Sequence, residues 1–353
     1  MKLFIPGPVD VREDVLAAMA RQPISHRGPE VSELQNRIVG MARKIMRTDN
    51  VVLLSTSSAT GLMEAAVRNV VEKRVLSLVC GAFSERWNQV AAANGIGNDR
   101  LDVPWGHAID PAAVEEKLRT GAYDALTVAH NETSTGVANP LAGLAEVMGR
   151  FPDVAFMVDT VSSLGGMPVE VDHMGIDLCL ASVQKCLALP PGFALCSVSP
   201  KVLERSSRAK SKGWYFDLAR MAKKAVLGQA PVTPSVSHMF AMERQFEVIL
   251  EEGLEARWGR HRAMADRTRE WARDRFALYA DEEHCSDTVT CISNTRKVDL
   301  GPVLAEMMRR GFQLGNGYGD LKGKAFRIAH MGERRMDEME EMFGELDSVL
   351  GKA

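Results

Sequence analysis

A lysine and an aspartate each stand just past an apolar, strand-like stretch. Lys185 follows Leu178-Cys-Leu-Ala-Ser-Val-Gln, and Asp159 closes Val154-Ala-Phe-Met-Val. At the carboxyl ends of neighbouring strands, such a pair can serve one cofactor. The lysine would hold pyridoxal phosphate as a Schiff base, and the aspartate would keep the pyridine nitrogen protonated. Each residue also has a plainer reading, since most lysines are solvated at the surface and an aspartate commonly caps a turn. The neighbours of Lys185, however, are Leu, Ala, Cys and Pro190-Pro-Gly, poor company for a surface charge. Burial would depress the amine's pKa and favour nucleophilic use. A buried aspartate needs a partner, and a pyridinium N–H is one.

Other residues could complete such a site. The hydroxyl-rich loop Ser55-Thr-Ser-Ser-Ala-Thr opens a helix. Its hydroxyls and free backbone N–H groups suit a phosphate, although a simple helix cap accounts for them too. Phe83, in Cys80-Gly-Ala-Phe-Ser-Glu-Arg-Trp, is either a ring that stacks on the pyridine face or a core aromatic. Arg327 interrupts the apolar run Ala325-Phe-Arg-Ile-Ala-His-Met, as a bidentate receptor for a carboxylate or as the partner of a protein acid. His26, His130 and His330 have no metal-ligand spacing and read as hydrogen-bonded structural residues. Gly315-Asn-Gly-Tyr-Gly-Asp lacks the G-x-G-x-x-G spacing of a nicotinamide fingerprint and reads as a turn.

These residues need strands to aim them. Between about residues 50 and 200, apolar runs alternate with helical segments. The strand candidates are Val51–Leu54, Val75–Cys80, Ala125–Ala129, Val154–Val158, Ile176–Ala181 and Phe193–Val198, with helices such as Thr60–Val71 and Leu141–Arg150 between them. Strands apolar throughout, separated by helices, predict a mostly parallel sheet covered on both faces. In such a sheet ligands bind beyond the carboxyl ends of the strands, where Thr133, Asp159 and Lys185 all fall. Past residue 235 a long charged helical region, Met239–Phe276, leads to a strand at Val289–Ser293 and a helix at Leu300–Arg310. Strands near Gly311–Gly315 and Ala325–Ala329 and a last helix, Met336–Leu350, follow. The expected fold is therefore α/β, a large domain with a mostly parallel sheet plus a smaller C-terminal α+β domain. The divisions are an N-terminal segment (1–14) reaching the active site, a large domain (15–238) and a small one (239–353).

Composition agrees with two packed units: 353 residues, 46% hydrophobic and 25% charged, are those of an ordinary globular chain. A net charge of −3 gives no reason to expect nucleic acid or an anionic membrane as partner. Six scattered cysteines form no C-x-x-C pair, so no metal site is expected; they suit a reducing cytoplasm. No apolar run approaches the ~18–20 residues of a membrane helix, and Pro6-Gly7-Pro8 interrupts any signal-peptide core.

Taken together, these stretches resemble the class V aminotransferases among fold-type I pyridoxal phosphate enzymes, in particular the alanine–glyoxylate/serine–pyruvate aminotransferase group. The resemblance runs nearly end to end. It covers Phe4-Ile-Pro-Gly-Pro, Ser25-His-Arg-Gly-Pro-Glu, His130-Asn-Glu-Thr-Ser-Thr-Gly-Val and Val158-Asp-Thr-Val-Ser-Ser-Leu-Gly-Gly. It continues through Ser182-Val-Gln-Lys with Pro190-Pro-Gly, and Lys322-Gly-Lys-Ala-Phe-Arg-Ile-Ala-His-Met-Gly. The resemblance implies that Lys185 holds the cofactor and shuttles the proton, while Asp159 pairs with the ring nitrogen. Phe83 and Val161 would cover the two ring faces, and Thr133 would bond the phenolic oxygen. Ser58, Ala59, Thr60 and Gln184 would hold the phosphate, helped by Thr233 from a partner subunit. Arg327 would take the substrate carboxylate, with the backbone near Gly7 closing over it. Two departures stand out: Ser57 and Ala59 replace glycines common in relatives, and Ala230 stands where a partner tyrosine is usual.

The activity implied is ping-pong transamination from a small L-amino acid, alanine or serine, to glyoxylate or pyruvate. The enzyme would be a cytoplasmic homodimer with shared active sites. Aspartate, phosphoserine and 2-aminoethylphosphonate are alternative amino donors. A cysteine-desulfurase-like lyase is disfavoured because Gln184, not histidine, precedes the lysine and no cysteine lies in a Gly/Ser-rich loop.

Overall fold

The computed structural model describes residues 1–351. Its centre is a seven-stranded sheet in the order Val51–Ser55, Ala194–Val198, Leu178–Ser182, Ala155–Asp159, Ala125–Ala129, Val75–Val79 and Asn98–Asp102. Only Ala194–Val198 runs against its neighbours. The five inner strands are buried along their whole length, so both faces must be covered, and their unbroken apolar runs follow from that.

Alternation along each strand divides its side chains between two cores. In Ala155–Asp159, Phe156 and Val158 enter a core built with the helix Pro29–Met46, whereas Ala155 and Met157 enter one built with the helix Ala59–Val70. Asp159 has the parity of Ala155 and Met157, so its carboxyl points to the side where the helix Ala59–Val70 begins. Register brings the functional strand ends level: Ala129 pairs with Asp159, Asp159 with Leu180, and Ala194 with both Ser182 and Ser55.

A second, five-stranded sheet has the order Lys2–Phe4, Phe312–Asn316, Ala325–Ala329, Val289–Ser293 and Ala277–Leu278. The first residues of the chain thus form its edge, parallel to Phe312–Asn316, before the chain turns into the crevice at Pro6-Gly7. A third core, including Phe4, Trp271, Phe326 and Phe343, supports this sheet. The charged helical region is two helices, Val236–Glu252 and Leu254–Arg275, broken at Gly253 with φ of +81°. The first packs Met239, Phe240, Met242 and Phe246 into the large sheet's core, and only the second contributes Met264 and Trp271 to the third core. The second helix starts in the large sheet's core with Leu254 and Trp258 and reaches the third core by Met264.

One buried cation ties the two sheets together at the lysine. Arg257 is fully buried and donates from Nε to the Gly165 carbonyl (3.0 Å) and from Nη2 to the carbonyls of Cys186 (2.9 Å) and Gly332 (3.2 Å). Glu252 and Glu333 balance its charge at 2.7 and 2.8 Å. Removing such a cation strands its carboxylate and carbonyl partners. Arg257→Ala should destabilise the cofactor-free protein by about 3 kcal/mol in denaturant unfolding; an unchanged midpoint would contradict this reading.

Candidate active site

Four strand ends and the chain's N-terminal segment meet at one crevice. Lys185 lies three residues past the strand Leu178–Ser182, and its amine donates to the Pro6 carbonyl. Gly7, with φ of +107°, packs directly on the lysine: an added Cβ would sit 2.6 Å from Cδ and 2.8 Å from Cε. Only glycine fits that backbone and that approach. Val9 N–H binds the Gln184 carbonyl at 3.3 Å and so secures the same contact from the next turn. Stripped of water by these neighbours and repelled by Arg327, the Lys185 amine falls to a pKa of about 8.

Asp159 is buried, and burial pushes its carboxyl up to about 7, with Glu132 adding repulsion and the Val161 N–H opposing. That N–H binds Oδ1 at 2.7 Å, the turn-capping contact expected of an aspartate. Its other oxygen takes no protein donor among the described residues, so capping uses half of the carboxyl. A cationic N–H donor is what the second oxygen lacks. Lys185 and Asp159 are near enough for each charge to move the other's titration.

Arg327 is buried in the strand Ala325–Ala329, and burial lowers its pKa. Its partners are carbonyls and not an acid: Nε donates to Asn316 at 3.0 Å and Nη1 to Thr133 at 3.2 Å. No carboxylate forms an ion pair with it among the described residues. A guanidinium has five N–H donors, so roughly three stay open for an anion. The same Thr133 shares a short hydroxyl contact with Ser162, which places its side chain in the loop after the strand Ala125–Ala129.

The helix Ala59–Val70 begins at Ser58, whose side chain makes no capping hydrogen bond. The simple cap is therefore absent, and first-turn N–H groups remain open to an anion. The hydroxyls of Ser55 and Ser57 bond each other at 2.8 Å, leaving Ser58 and Thr60 as the free pair. Ala59 is helical and neither Ser57 nor Ala59 has a positive φ, so neither position requires glycine. Gln184 accepts from the Ser182 hydroxyl at 2.6 Å, which leaves its amide N–H group free. Thr233 is exposed in the segment before Val236, close to the chain's own Thr56, which accepts from Ser235 N–H at 3.1 Å; it joins none of the other site residues. Ala230 lies in the same segment.

Phe83 sits in the first turn of the helix Ala82–Ala93, half-buried and outside the apolar cores. Its support is a buried acid with no motif of its own in the sequence. Glu132, fully buried, closes that helix start by accepting from the N–H groups of Phe83 (3.1 Å) and Ser84 (2.8 Å) and from the hydroxyls of Ser84 (2.8 Å) and Ser134 (2.6 Å). Glu132 lies three residues past the apolar run Ala125–Ala129, and nothing in that spacing marks its partners. His130 and His330 are hydrogen-bonded within the chain, His130 to Ser163 at 3.0 Å and His330 to Thr290 at 3.0 Å. Burial lowers their pKa values to about 4 and about 3.

The residues fit pyridoxal phosphate: a depressed amine, a buried acid with one unpartnered oxygen, and an uncapped helix start converge. Folded, Asp159 keeps its proton up to about pH 7; unfolded, it loses it near the ordinary aspartate value of 3.8. Across that window the folded chain holds more protons, so this group's contribution to stability falls as pH rises. The melting temperature of the cofactor-free protein should decline more steeply across this window than that of Asp159→Asn. Parallel pH profiles for the two would contradict the assignment.

The comparisons with known proteins agree with this geometry. The aminotransferase class V family model matches residues 17–311. An uncharacterized aminotransferase of Methanocaldococcus jannaschii is 39% identical over 94% of this chain and 87% of its own. A serine–glyoxylate aminotransferase of Arabidopsis thaliana is 31% identical over 94% of this chain and 85% of its own. A Synechococcus chain named as the small subunit of a soluble hydrogenase is 34% identical over 94% and 88%. Among solved structures, an aspartate aminotransferase of subgroup IV from Thermus thermophilus superposes with a TM-score of 0.92 at 31% identity, covering 100% of this chain and 99% of that one. An alanine–glyoxylate aminotransferase from Nostoc gives 0.92 at 29%, covering 99% and 94%. Strand order, site and sequence thus converge, and the chain belongs to the class V aminotransferases, pyridoxal phosphate enzymes of fold type I.

Proposed function

We propose that this enzyme transfers the amino group of a small L-amino acid, alanine or serine, to glyoxylate or pyruvate by ping-pong chemistry. The observation that carries the reading is Arg327, a buried guanidinium held by two carbonyls, with open N–H groups and its charge felt at Lys185. A receptor of that kind binds the α-carboxylate common to amino acids and 2-oxo acids. Glyoxylate is the acceptor in the names of the serine and alanine relatives, which supports the choice of substrates.

When bound, pyridoxal phosphate supplies a carbonyl for covalent attachment of an amine and an electron sink for the bond broken at Cα. The chain supplies position and protons. Arg327 would fix the carboxylate and so set Cα beside Lys185. With its pKa near 8, the lysine is partly neutral at physiological pH, able to take the Cα proton and return it to the former carbonyl carbon. Asp159 would accept the ring N–H with its unpartnered oxygen, and burial makes that charge pairing strong. Phe83 and Val161 would bracket the ring, Thr133 would bond its phenolic oxygen, and Ser58, Ala59, Thr60 and Gln184 would hold the phosphate. Gly7 lets the N-terminal segment cover Lys185 and exclude water.

The cofactor's visible absorbance should disappear on adding alanine or serine and return on adding glyoxylate or pyruvate. Lys185→Ala should abolish turnover, and Arg327→Ala should raise KM by about two orders of magnitude. Absence of any bleaching across a panel that also contains aspartate and phosphoserine would refute the proposal.

We propose further that the enzyme is a cytoplasmic homodimer, with Thr233 reaching the partner's phosphate site. Trp214 (56% exposed), Val226 (78%) and Leu227 (59%) lie around the helix Leu218–Ala225, an apolar surface costly to leave in water. The adjoining Tyr215 donates to the Thr56 carbonyl at 3.4 Å, so this surface abuts the phosphate loop. Sedimentation should show a dimer that Leu227→Glu dissociates; a monomer at all concentrations would contradict it.

A further inference from the structure

Between the proposed carboxylate receptor and the proposed stacking ring stands Tyr318. Its ring centroid lies 5.1 Å from that of Phe83, at an interplanar angle of 37°. The guanidinium carbon of Arg327 is 5.6 Å from the same tyrosine ring, and the hydroxyl is 3.5 Å from Nη2 of Arg86. Arg86 itself lies over Phe83 at 5.0 Å. One side chain therefore touches elements of both sheets at the mouth of the crevice.

The turn that carries Tyr318 is stiff. At Gly317 a Cβ would fall 1.9 Å from the Leu321 carbonyl oxygen, so no other residue fits, and Gly319 has φ of +55°. Gly317 N–H binds the Ala325 carbonyl at 2.8 Å, Leu321 N–H binds the Tyr318 carbonyl at 3.1 Å, and the Asn316 side chain accepts from Gly323 N–H at 3.1 Å. The Asn316 carbonyl, next to this turn, is also the one that holds Arg327 Nε. The tyrosine and the arginine are thus fixed relative to each other, which suits a wall better than a swinging lid.

We propose that Tyr318 is the wall of the substrate side-chain pocket and limits the amino donor to a short substituent, methyl or hydroxymethyl. The inference rests on the roles given to Lys185 and Arg327 above. With the carboxylate on Arg327 and Cα at the lysine, both ends of the substrate backbone are fixed. A long side chain leaving Cα towards the crevice mouth must then occupy the volume of the Tyr318 ring. Tyr318 is 37% exposed and lies in no apolar core, so removing its ring opens that volume to solvent without emptying a core.

The test follows the first half-reaction of the holoenzyme by its visible absorbance, with alanine, serine, leucine and phenylalanine as donors. Saturation curves give dissociation constants and limiting rates separately. Wild type should convert alanine or serine far better than leucine or phenylalanine. In Tyr318→Ala the leucine-to-alanine ratio of specificity constants should rise about tenfold or more, mainly through tighter leucine binding. Tyr318→Leu, which keeps part of the bulk, should give a smaller rise, and Tyr318→Phe should leave the ratio near wild type. A wild type that converts leucine as readily as alanine overturns the wall while leaving the transaminase reading intact. So does a ratio that shifts by less than about twofold in both truncations. A wild type that responds to none of these donors overturns the wall, and one that also ignores aspartate and phosphoserine sinks the transaminase reading with it.

Discussion

The structure depends on keeping the Lys185 amine out of water. Three separate parts of the chain do this: the Pro6 carbonyl and the Gly7 backbone from the N-terminal segment, the end of the central strand Leu178–Ser182, and Arg257, which grips the carbonyl of the next residue, Cys186. An exposed lysine at physiological pH is almost wholly protonated and cannot act as a base. Desolvation, with the Arg327 charge beyond it, brings the amine to a pKa of about 8, where a useful fraction is neutral. The positive φ at Gly7 and the edge strand Lys2–Phe4 both follow from this constraint, because the N-terminal segment must be anchored and must then turn sharply onto the lysine.

Burial acts in the opposite sense on Asp159, whose carboxyl is held protonated up to about pH 7 while it lacks a cation. The two groups are complementary: each is raised in energy when charged and alone, and a ligand with an N–H cation at one end and a reactive carbonyl at the other relieves both. Glu132, a nearby buried acid, is used differently. Its oxygens are consumed by helix-start N–H groups and serine hydroxyls, which makes it a fastener for the segment bearing Phe83. Arg327 follows the same logic with reversed charge, since carbonyls hold it in place without neutralising it.

The inner strands were legible because burial on both faces demands continuous apolar runs such as Val75–Val79 and Leu178–Ser182. Lys185, Asp159 and Arg327 were legible for the same reason, as polar residues in or just beyond such runs. The edge strand Asn98–Asp102 escaped because its sequence, Asn-Asp-Arg-Leu-Asp, has one apolar residue and only one paired side. Lys2–Phe4 is three residues long and is a strand only through its pairing with Phe312–Asn316, more than three hundred residues away. Gly253 was a visible break, yet charge on both sides read as one helix. Glu132 and Tyr318 were hidden for another reason: what matters in each is a tertiary partner, and local spacing says nothing about partners.

The most direct test is to find which amine carries the cofactor. Pyridoxal phosphate bound to the purified enzyme can be fixed to its attachment point by borohydride reduction and located by peptide mass spectrometry. A single phosphopyridoxyl group is expected, on the lysine of the peptide containing Ser182-Val-Gln-Lys185-Cys. A label on another lysine, or one scattered over surface amines with none at 185, would contradict it.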